Sequence, residues 1–332
     1  MNVALVKLSS LGDVVHALPV AATLRARLPD ARLTWIAERR EAEVLAGHPA
    51  LDEVVTVDTR GWRRSRSPAA LAGTARALRA LARRLAQARF DAALDLQGLI
   101  KSGILVGLTR APLRIGFDAR SCREPLGALF TNRRVERPRG VHVVEQYLAL
   151  TGPLGIAEPV RDFRLPSDPA AESSIDELFG ATGMKPRDRV VVVNPGAGRP
   201  TKRWPVERFR ALAAHLAGQA GAHVLVVWGP GEESLASAIA RPPAGRVVLG
   251  PPTSLVQLIA VLRRASLLVA ADTGPLHLAA ALGTPCLGLY GPTDPTRNGP
   301  YGSGHRTLRA PDGQMTSIDV APVFQAALEL LA

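Results

Sequence analysis

Three places along this chain set charged or hydroxyl side chains on a strand-to-helix turn, where each could act on a phosphate or on an attacking hydroxyl. The fullest is Val269-Ala-Ala-Asp-Thr-Gly-Pro-Leu-His277, continuing to Pro285 and into Leu287-Gly-Leu-Tyr-Gly-Pro-Thr293. The apolar run Leu267 to Ala271 ends at Asp-Thr-Gly-Pro, a helix-length Ala/Leu segment starts there, and a second apolar run follows. That pattern reads as one βαβ unit. Backbone N–H groups and the helix dipole at such a turn favour a phosphate. Asp272, Thr273 and His277 add side-chain hydrogen-bonding groups, which points to a phosphorylated or nucleotide-linked ligand. Asp and Thr also lead the N-cap preferences, so the same residues would equally serve an ordinary crossover helix.

The second place is Leu8-Ser-Ser-Leu-Gly-Asp-Val-Val-His-Ala-Leu-Pro19, a turn with Gly12 and then Asp13 at the mouth of a helix. A carboxylate there could take the proton of an attacking hydroxyl, or could simply cap the helix. His16 reads as a packed or hydrogen-bonded helix residue. The third is Val193-Asn-Pro-Gly-Ala-Gly-Arg-Pro-Thr-Lys-Arg-Trp-Pro205, a Gly-rich loop whose N–H groups can approach phosphate oxygens. Lys202 would supply a point charge beside them for a departing diphosphate. Such loops are common taken singly; paired with Asp272-Thr273-Gly274, this one makes a two-sided phosphate site.

The elements that must hold these residues alternate strand and helix. In the first half, strands are expected at Val3 to Leu8, Leu33 to Ala37, Val54 to Val57 and Ala92 to Leu96, with helices at Leu18 to Leu28 and near Leu71 to Leu85. The second half gives strands at Val190 to Val193, Val224 to Trp228 and Val247 to Leu249, with helices at Val206 to Ala217, near Leu235, and at Leu255 to Leu262. Residues 152–188 are rich in Pro, Gly, Asp and Ser and read as a linker. Ile318 to Leu331 reads as a final amphipathic helix. The class is α/β, with two Rossmann-like doubly wound domains expected to face each other across a central cleft lined by strand carboxyl ends.

At 332 residues the chain exceeds one ordinary core, and 47% hydrophobic with 21% charged residues excludes a disordered chain. No apolar run approaches the roughly 18 residues of a membrane span, and the first residues lack the features of a secretory signal. Two distant cysteines, Cys122 and Cys286, offer neither a disulfide framework nor a metal-ligand spacing, which fits a reducing cytoplasm. Charge is lopsided: residues 1–165 hold 26 Lys/Arg against 16 Asp/Glu, a net +10, whereas residues 166–332 are net +2. A basic half fits nucleic acid, an anionic membrane or a polyanionic substrate. With aromatics at 4%, the stacking positions of single-strand nucleic-acid binders are missing. Neither half carries Gly-x-Gly-x-x-Gly with its acidic partner, and there is no Walker lysine motif.

These motifs, together with Asp95-Leu-Gln-Gly-Leu-Ile-Lys-Ser102, Arg123-Glu-Pro-Leu-Gly-Ala-Leu-Phe130 followed by Asn132-Arg133, and Tyr290-Gly-Pro-Thr-Asp-Pro295, resemble the lipopolysaccharide heptosyltransferases of glycosyltransferase family 9. The resemblance covers almost the whole chain. It implies a GT-B fold with an acceptor domain at 1–165, an ADP-sugar domain at 166–316, and a helix at 317–332 packing back on the first domain. It implies an inverting transfer of L-glycero-D-manno-heptose from ADP-heptose to Kdo of a lipid A inner-core acceptor, at the cytoplasmic face of the inner membrane. No metal or other cofactor is expected, and no nucleic acid.

Carried over residue by residue, Asp13 is the base and Lys202 meets the diphosphate. Gly196, Ala197, Gly198, Thr201, Lys202, Glu232, Thr253, Asp272, Thr273, Gly274 and His277 bind the donor, with Glu232 on the nucleoside ribose. Ser10, Gly12, Arg60, Arg63, Arg64, Lys101, Arg123 and His142 bind the acceptor. The chain departs from the family pattern at the Gly196-Ala197-Gly198 loop, where two hydroxyl residues are common, at Gln146, where arginine is frequent, and at Gly61 in the basic loop. The competing readings are a family 9 transferase of the heptosyltransferase II type or with another sugar or acceptor, and a non-catalytic protein binding nucleotides or polyanions.

Overall fold

The structure, a computed structural model, describes residues 1–64, 67–240 and 245–332; for Arg60, Arg63, Arg64, Pro68 and Ala69 only the backbone is described. The chain divides into two compact units, Met1–Pro166 and Ser167–Ala332.

The first unit holds strands β1 (Asn2–Val6), β2 (Arg32–Glu38), β3 (Glu53–Val57), β4 (Ala92–Asp95), β5 (Leu113–Phe117) and β6 (Arg133–Val135), in the spatial order β3-β2-β1-β4-β5-β6. All five pairings are parallel. A parallel sheet buried on both faces needs continuous apolar strands, and Val3 to Val6 and Ala92 to Leu94 are fully buried. The helices are α1 (Leu11–Arg27), α2 (Thr59–Arg64), α3 (Pro68–Gln87), α4 (Ile100–Leu108) and α5 (Val143–Leu148). Strand order runs one way from β1 to β3 and the other way from β4 to β6. The loops after β1 and β4 therefore leave at the switch point, where doubly wound sheets bind ligands. Ser10 and Asp13 follow one of these strands; Asp95 ends the other.

The second unit repeats the scheme. It begins with α6 (Pro169–Ala181) and continues through β7 (Val190–Asn194), α7 (Val206–Gly218), β8 (His223–Val226), α8 (Glu233–Ala240), β9 (Val247–Leu249), α9 (Leu255–Arg264), β10 (Leu267–Ala271), α10 (Gly274–Ala281), β11 (Cys286–Tyr290), α11 (Pro295–Asn298), β12 (His305–Arg309) and α12 (Val320–Leu331). The sheet order is β12-β11-β10-β7-β8-β9, again all parallel. Here the switch point lies between β7 and β10, the strands that carry the Gly-rich loop and the Asp-Thr-Gly turn.

Two expectations are corrected. Helix α1 starts at Leu11 rather than Leu18, so Asp13 stands in its first turn instead of ahead of it, and Pro19 lies in its interior. The expected linker contains α6: Asp168 caps it by accepting from the Ala171 amide, Pro169 opens it, and Ala171, Ile175 and Phe179 bury one face at four-residue spacing. The final helix, α12, lies within the second unit. Val323, Ala326 and Ala327 of α12 are buried in one core with Trp204, Phe209 and Leu216, and the Trp204 indole donates to the Ile318 carbonyl at 2.8 Å.

Candidate active site

In the first unit, Ser10 is the N-cap of α1, and Asp13 is the third residue of that helix. The Asp13 Oδ2 accepts from the Ser10 amide at 3.2 Å and from the Ser10 hydroxyl at 2.9 Å. Half of the capping interpretation is therefore present. The other oxygen is held differently. Oδ1 accepts from the Tyr147 hydroxyl at 3.4 Å and lies 3.8 Å from the Lys7 ammonium. The Asp13 side chain is nevertheless 40% exposed, so a hydroxyl from solvent can reach it. Gly12, the residue before it, is buried in α1.

Lys7 was not among the sequence candidates. It is 3% exposed and donates to Tyr147 Oη at 2.7 Å and to the Leu96 carbonyl at 3.1 Å, 4.5 Å from the Tyr147 ring centre. Burial would lower the pKa of its ammonium, but the charges and hydroxyl of Tyr147 and Asp13, with Asp95 behind them, raise it above the ordinary lysine value. The one charge interrupting the first apolar strand was the available signal, since a lysine is almost never fully buried unless paired. Tyr147 had no local signal, standing 140 residues from Lys7.

The Asp95-Leu-Gln motif organises this loop. Gln97 Oε1 accepts from the Leu8 and Ser9 amides at 2.8 and 3.3 Å, and its Nε2 donates to the Ser9 carbonyl at 2.8 Å. The buried Asp95 carboxylate accepts from the Gln97 and Gly98 amides and from the Ser102 hydroxyl, fixing Gln97 in turn.

The remaining acceptor candidates spread over the unit. Lys101 Nζ lies 3.6 Å from Glu38 and 3.3 Å from Thr59 Oγ1, at the start of α2. Arg60, Arg63 and Arg64 fall in α2 by backbone, and their side chains lie outside the described ones. Gly61 interrupts the basic run because a Cβ there would strike the Asp58 carboxylate, which accepts from the Gly61 amide at 2.8 Å. His142 caps α5 by accepting the Val144 amide on Nδ1, and its ring meets that of buried His16 edge-on at 5.1 Å. Arg123 is exposed. No hydrogen bond or ion pair among the described residues ties Arg123 to Asp13.

In the second unit, Asp272 does not cap α10. Its Oδ2 accepts from Lys202 Nζ at 2.6 Å and its Oδ1 lies 3.2 Å from His277 Nε2, with the aspartate 8% exposed. Burial alone would raise its pKa, but the hydrogen bonds and charges of His277 and Lys202 outweigh that and hold the carboxyl far below its ordinary range. The Thr273 hydroxyl turns back to the Ala271 carbonyl at 3.1 Å. The first turn of α10, from Gly274, thus presents amides uncapped by either side chain.

The Gly-rich loop adds one close approach. A Cβ on Gly196 would overlap the Glu232 carboxylate, which accepts from the Gly229 amide at 3.1 Å. Only glycine at 196 lets Glu232 lie against the loop, so the structure brings these two candidates together. Ala197 is buried and its carbonyl accepts from Arg203 at 3.2 Å, whereas Gly198 and Thr201 are exposed. Thr253 precedes Ser254, the N-cap of α9, and makes no hydrogen bond to Lys202, Asp272 or His277 among the described residues.

Two sheets with ligand loops at their switch points, one offering an open carboxylate and the other a lysine-aspartate-histidine group at a helix start, frame the comparison with known proteins. The chain matches the model of Glycosyltransferase family 9 (heptosyltransferase) over residues 78–324. It belongs to that family. Lipopolysaccharide heptosyltransferase 1 of Escherichia coli strain K12 is 33% identical to this family 9 transferase over 334 residues, covering 100% of this chain and 99% of the relative. The enzyme of the same name from Pseudomonas aeruginosa is 35% identical over 91% of this chain and 82% of the relative. Among solved structures, E. coli heptosyltransferase WaaC with ADP superposes at a TM-score of 0.84 and 32% identity, covering 99% of this chain and all of the other. The same enzyme with ADP-2-deoxy-2-fluoro heptose gives 0.83 at 31% identity, covering 99% of each chain. The transferase is thus a glycosyltransferase of the GT-B class.

Proposed function

We propose that this transferase moves L-glycero-D-manno-heptose from ADP-heptose to a Kdo hydroxyl of a lipid A inner-core acceptor, with inversion and without a metal. The observation that carries the reading is the Asp13 carboxylate, solvent-accessible at 40% yet oriented through both oxygens by Ser10, Tyr147 and Lys7. Asp13 takes the proton of the acceptor hydroxyl as its oxygen bonds to the anomeric carbon. The bond from that carbon to the diphosphate oxygen breaks on the opposite face, and ADP leaves with the electron pair. Lys202 and the first amides of α10 stabilise the growing negative charge, the task a metal ion performs in other sugar transfers. Glu232, set beside Gly196, is positioned to accept from ribose hydroxyls.

Relatives named for lipopolysaccharide synthesis and bound to ADP or an ADP-heptose analogue support the donor and acceptor. The acceptor's carboxylates and phosphates also suit a first half of net charge +10. Among the described residues no helix is long and apolar enough to cross a membrane. The reading therefore has the enzyme meet its lipid acceptor peripherally, at the cytoplasmic face of the inner membrane. The test is a transfer assay with purified protein, ADP-heptose and Kdo-lipid A, with and without EDTA. Heptosylated product in both arms is expected; no product, or loss of product with EDTA, rejects the reading or its metal independence.

A further inference from the structure

Most protein surfaces scatter their exposed aliphatic residues singly. Here four gather on two short elements that pack on each other. Ile100 and Ile104, one turn apart on α4, are 36% and 43% exposed; Leu126 and Leu129, in the 3₁₀ turn Pro125–Phe130, are 61% and 70% exposed. Glycines force this arrangement. A Cβ on Gly103 would strike the Gly127 carbonyl and the Phe130 ring, and one on Gly127 would strike the Leu99 backbone. The turn and the helix therefore touch backbone to backbone, with Gly127 and Ala128 inward and Leu126 and Leu129 outward. A glycine contact of this kind leaves no inner pocket for those leucines.

The stretch of chain that holds both elements is strongly basic. Residues 99–139 carry nine Lys/Arg against three Asp/Glu. Glu124 is spent on the Ile100 amide at 2.7 Å, while Arg123, Arg133 and Arg134 are exposed and enter no ion pair with a described residue. Exposed aliphatic tips on a stretch of chain rich in exposed arginines complement an anionic lipid surface: the apolar side chains enter the acyl boundary and the arginines meet the head groups. We infer that Ile100, Ile104, Leu126 and Leu129 form the face by which this chain docks on an anionic phospholipid bilayer. The inference deepens the proposed function, on whose lipid-borne acceptor it rests, by naming the contact with the membrane.

Co-sedimentation with vesicles of phosphatidylglycerol and phosphatidylcholine, in the absence of donor and acceptor, tests it. The wild-type chain is expected to partition onto these vesicles and not onto pure phosphatidylcholine. The double variant Leu126→Ser with Leu129→Ser should lose about tenfold or more in partition at an unchanged melting temperature. Arg133→Gln with Arg134→Gln should weaken binding and flatten its salt dependence. Equal partition of wild type and L126S/L129S overturns the inference, as does binding only when the acceptor lipid is included. A wild-type dimer that L126S/L129S abolishes, with no vesicle binding, assigns the patch to a second copy and also overturns it. Transfer to detergent-dispersed acceptor separates the two readings: L126S/L129S should retain it, and its absence in the wild type condemns the proposed function while leaving the vesicle result standing.

Discussion

Asp13 and Asp272 both follow a strand at their sheet's switch point and stand at the start of a helix, Asp13 after β1 and Asp272 after β10, yet their surroundings are opposite. Asp13 is open to solvent and engaged by a serine and a tyrosine, with the Lys7 ammonium 3.8 Å away. Asp272 is buried between a lysine at 2.6 Å and a histidine at 3.2 Å, which hold its carboxyl ionised far below the usual range. One carboxylate is open to an incoming hydroxyl; the other is held as an anion between Lys202 and His277. Local sequence made them look alike, and the neighbours contributed by distant strands and helices decide their chemistry.

The sharpest way to break the contrast is Asp13→Asn. Asparagine keeps an oxygen for the Ser10 amide, so the cap and the melting temperature should survive, while turnover falls by about 10² to 10⁴. Near-normal turnover would leave Asp13 as a cap only. Next, Lys202→Ala should cost about 10² in kcat/KM for the donor, measured beside ADP affinity, because the leaving diphosphate loses its cation. An unchanged donor dependence would confine the lysine to its ion pair with Asp272.

The fixed-anion role has its own signature in acid. The folded pKa of Asp272 is lowered from the ordinary value of 3.8. Its contribution to stability is therefore complete above that value and is lost as pH falls through the folded pKa. Asp272→Asn should destabilise the chain by about 2 kcal/mol at neutral pH, and the gap to wild type should narrow below about pH 4. Urea unfolding at pH 7 and pH 3 reads this; a gap independent of pH would mean the carboxyl is not held ionised by its partners.

How far the sequence reveals this depends on distance along the chain. The βαβ units, and with them the loops carrying Asp13, Lys202 and Asp272, follow from hydrophobic periodicity, because a parallel sheet buried on both faces writes its strands as short apolar runs. Helix α6 carried its own start signal in Asp168-Pro169, masked by the Pro, Gly and Ser around it. Pro19 hid the true start of α1, since proline favours a first turn and here lies deep inside one helix. Pairings such as Lys7 with Tyr147, or Trp204 with Ile318, arise only when strands and helices far apart in sequence are packed together, and no local pattern encodes them.

Tyr147 offers the finest probe of the open carboxylate. Its hydroxyl receives a hydrogen bond from Lys7 at 2.7 Å and gives one to Asp13 at 3.4 Å, so it relays the lysine's charge to the oxygen that Ser10 does not hold. Tyr147→Phe removes that relay but keeps the ring face beneath the ammonium, 4.5 Å from its centre, and keeps the Leu96 carbonyl as a partner. Lys7 therefore stays in place, and the loss should be that of about one hydrogen bond, roughly fivefold in kcat with the donor KM unchanged. A loss as large as that of Asp13→Asn would move Tyr147 from positioning the base to the chemistry itself. A fall in donor affinity instead would show that the tyrosine supports the fold of the loop.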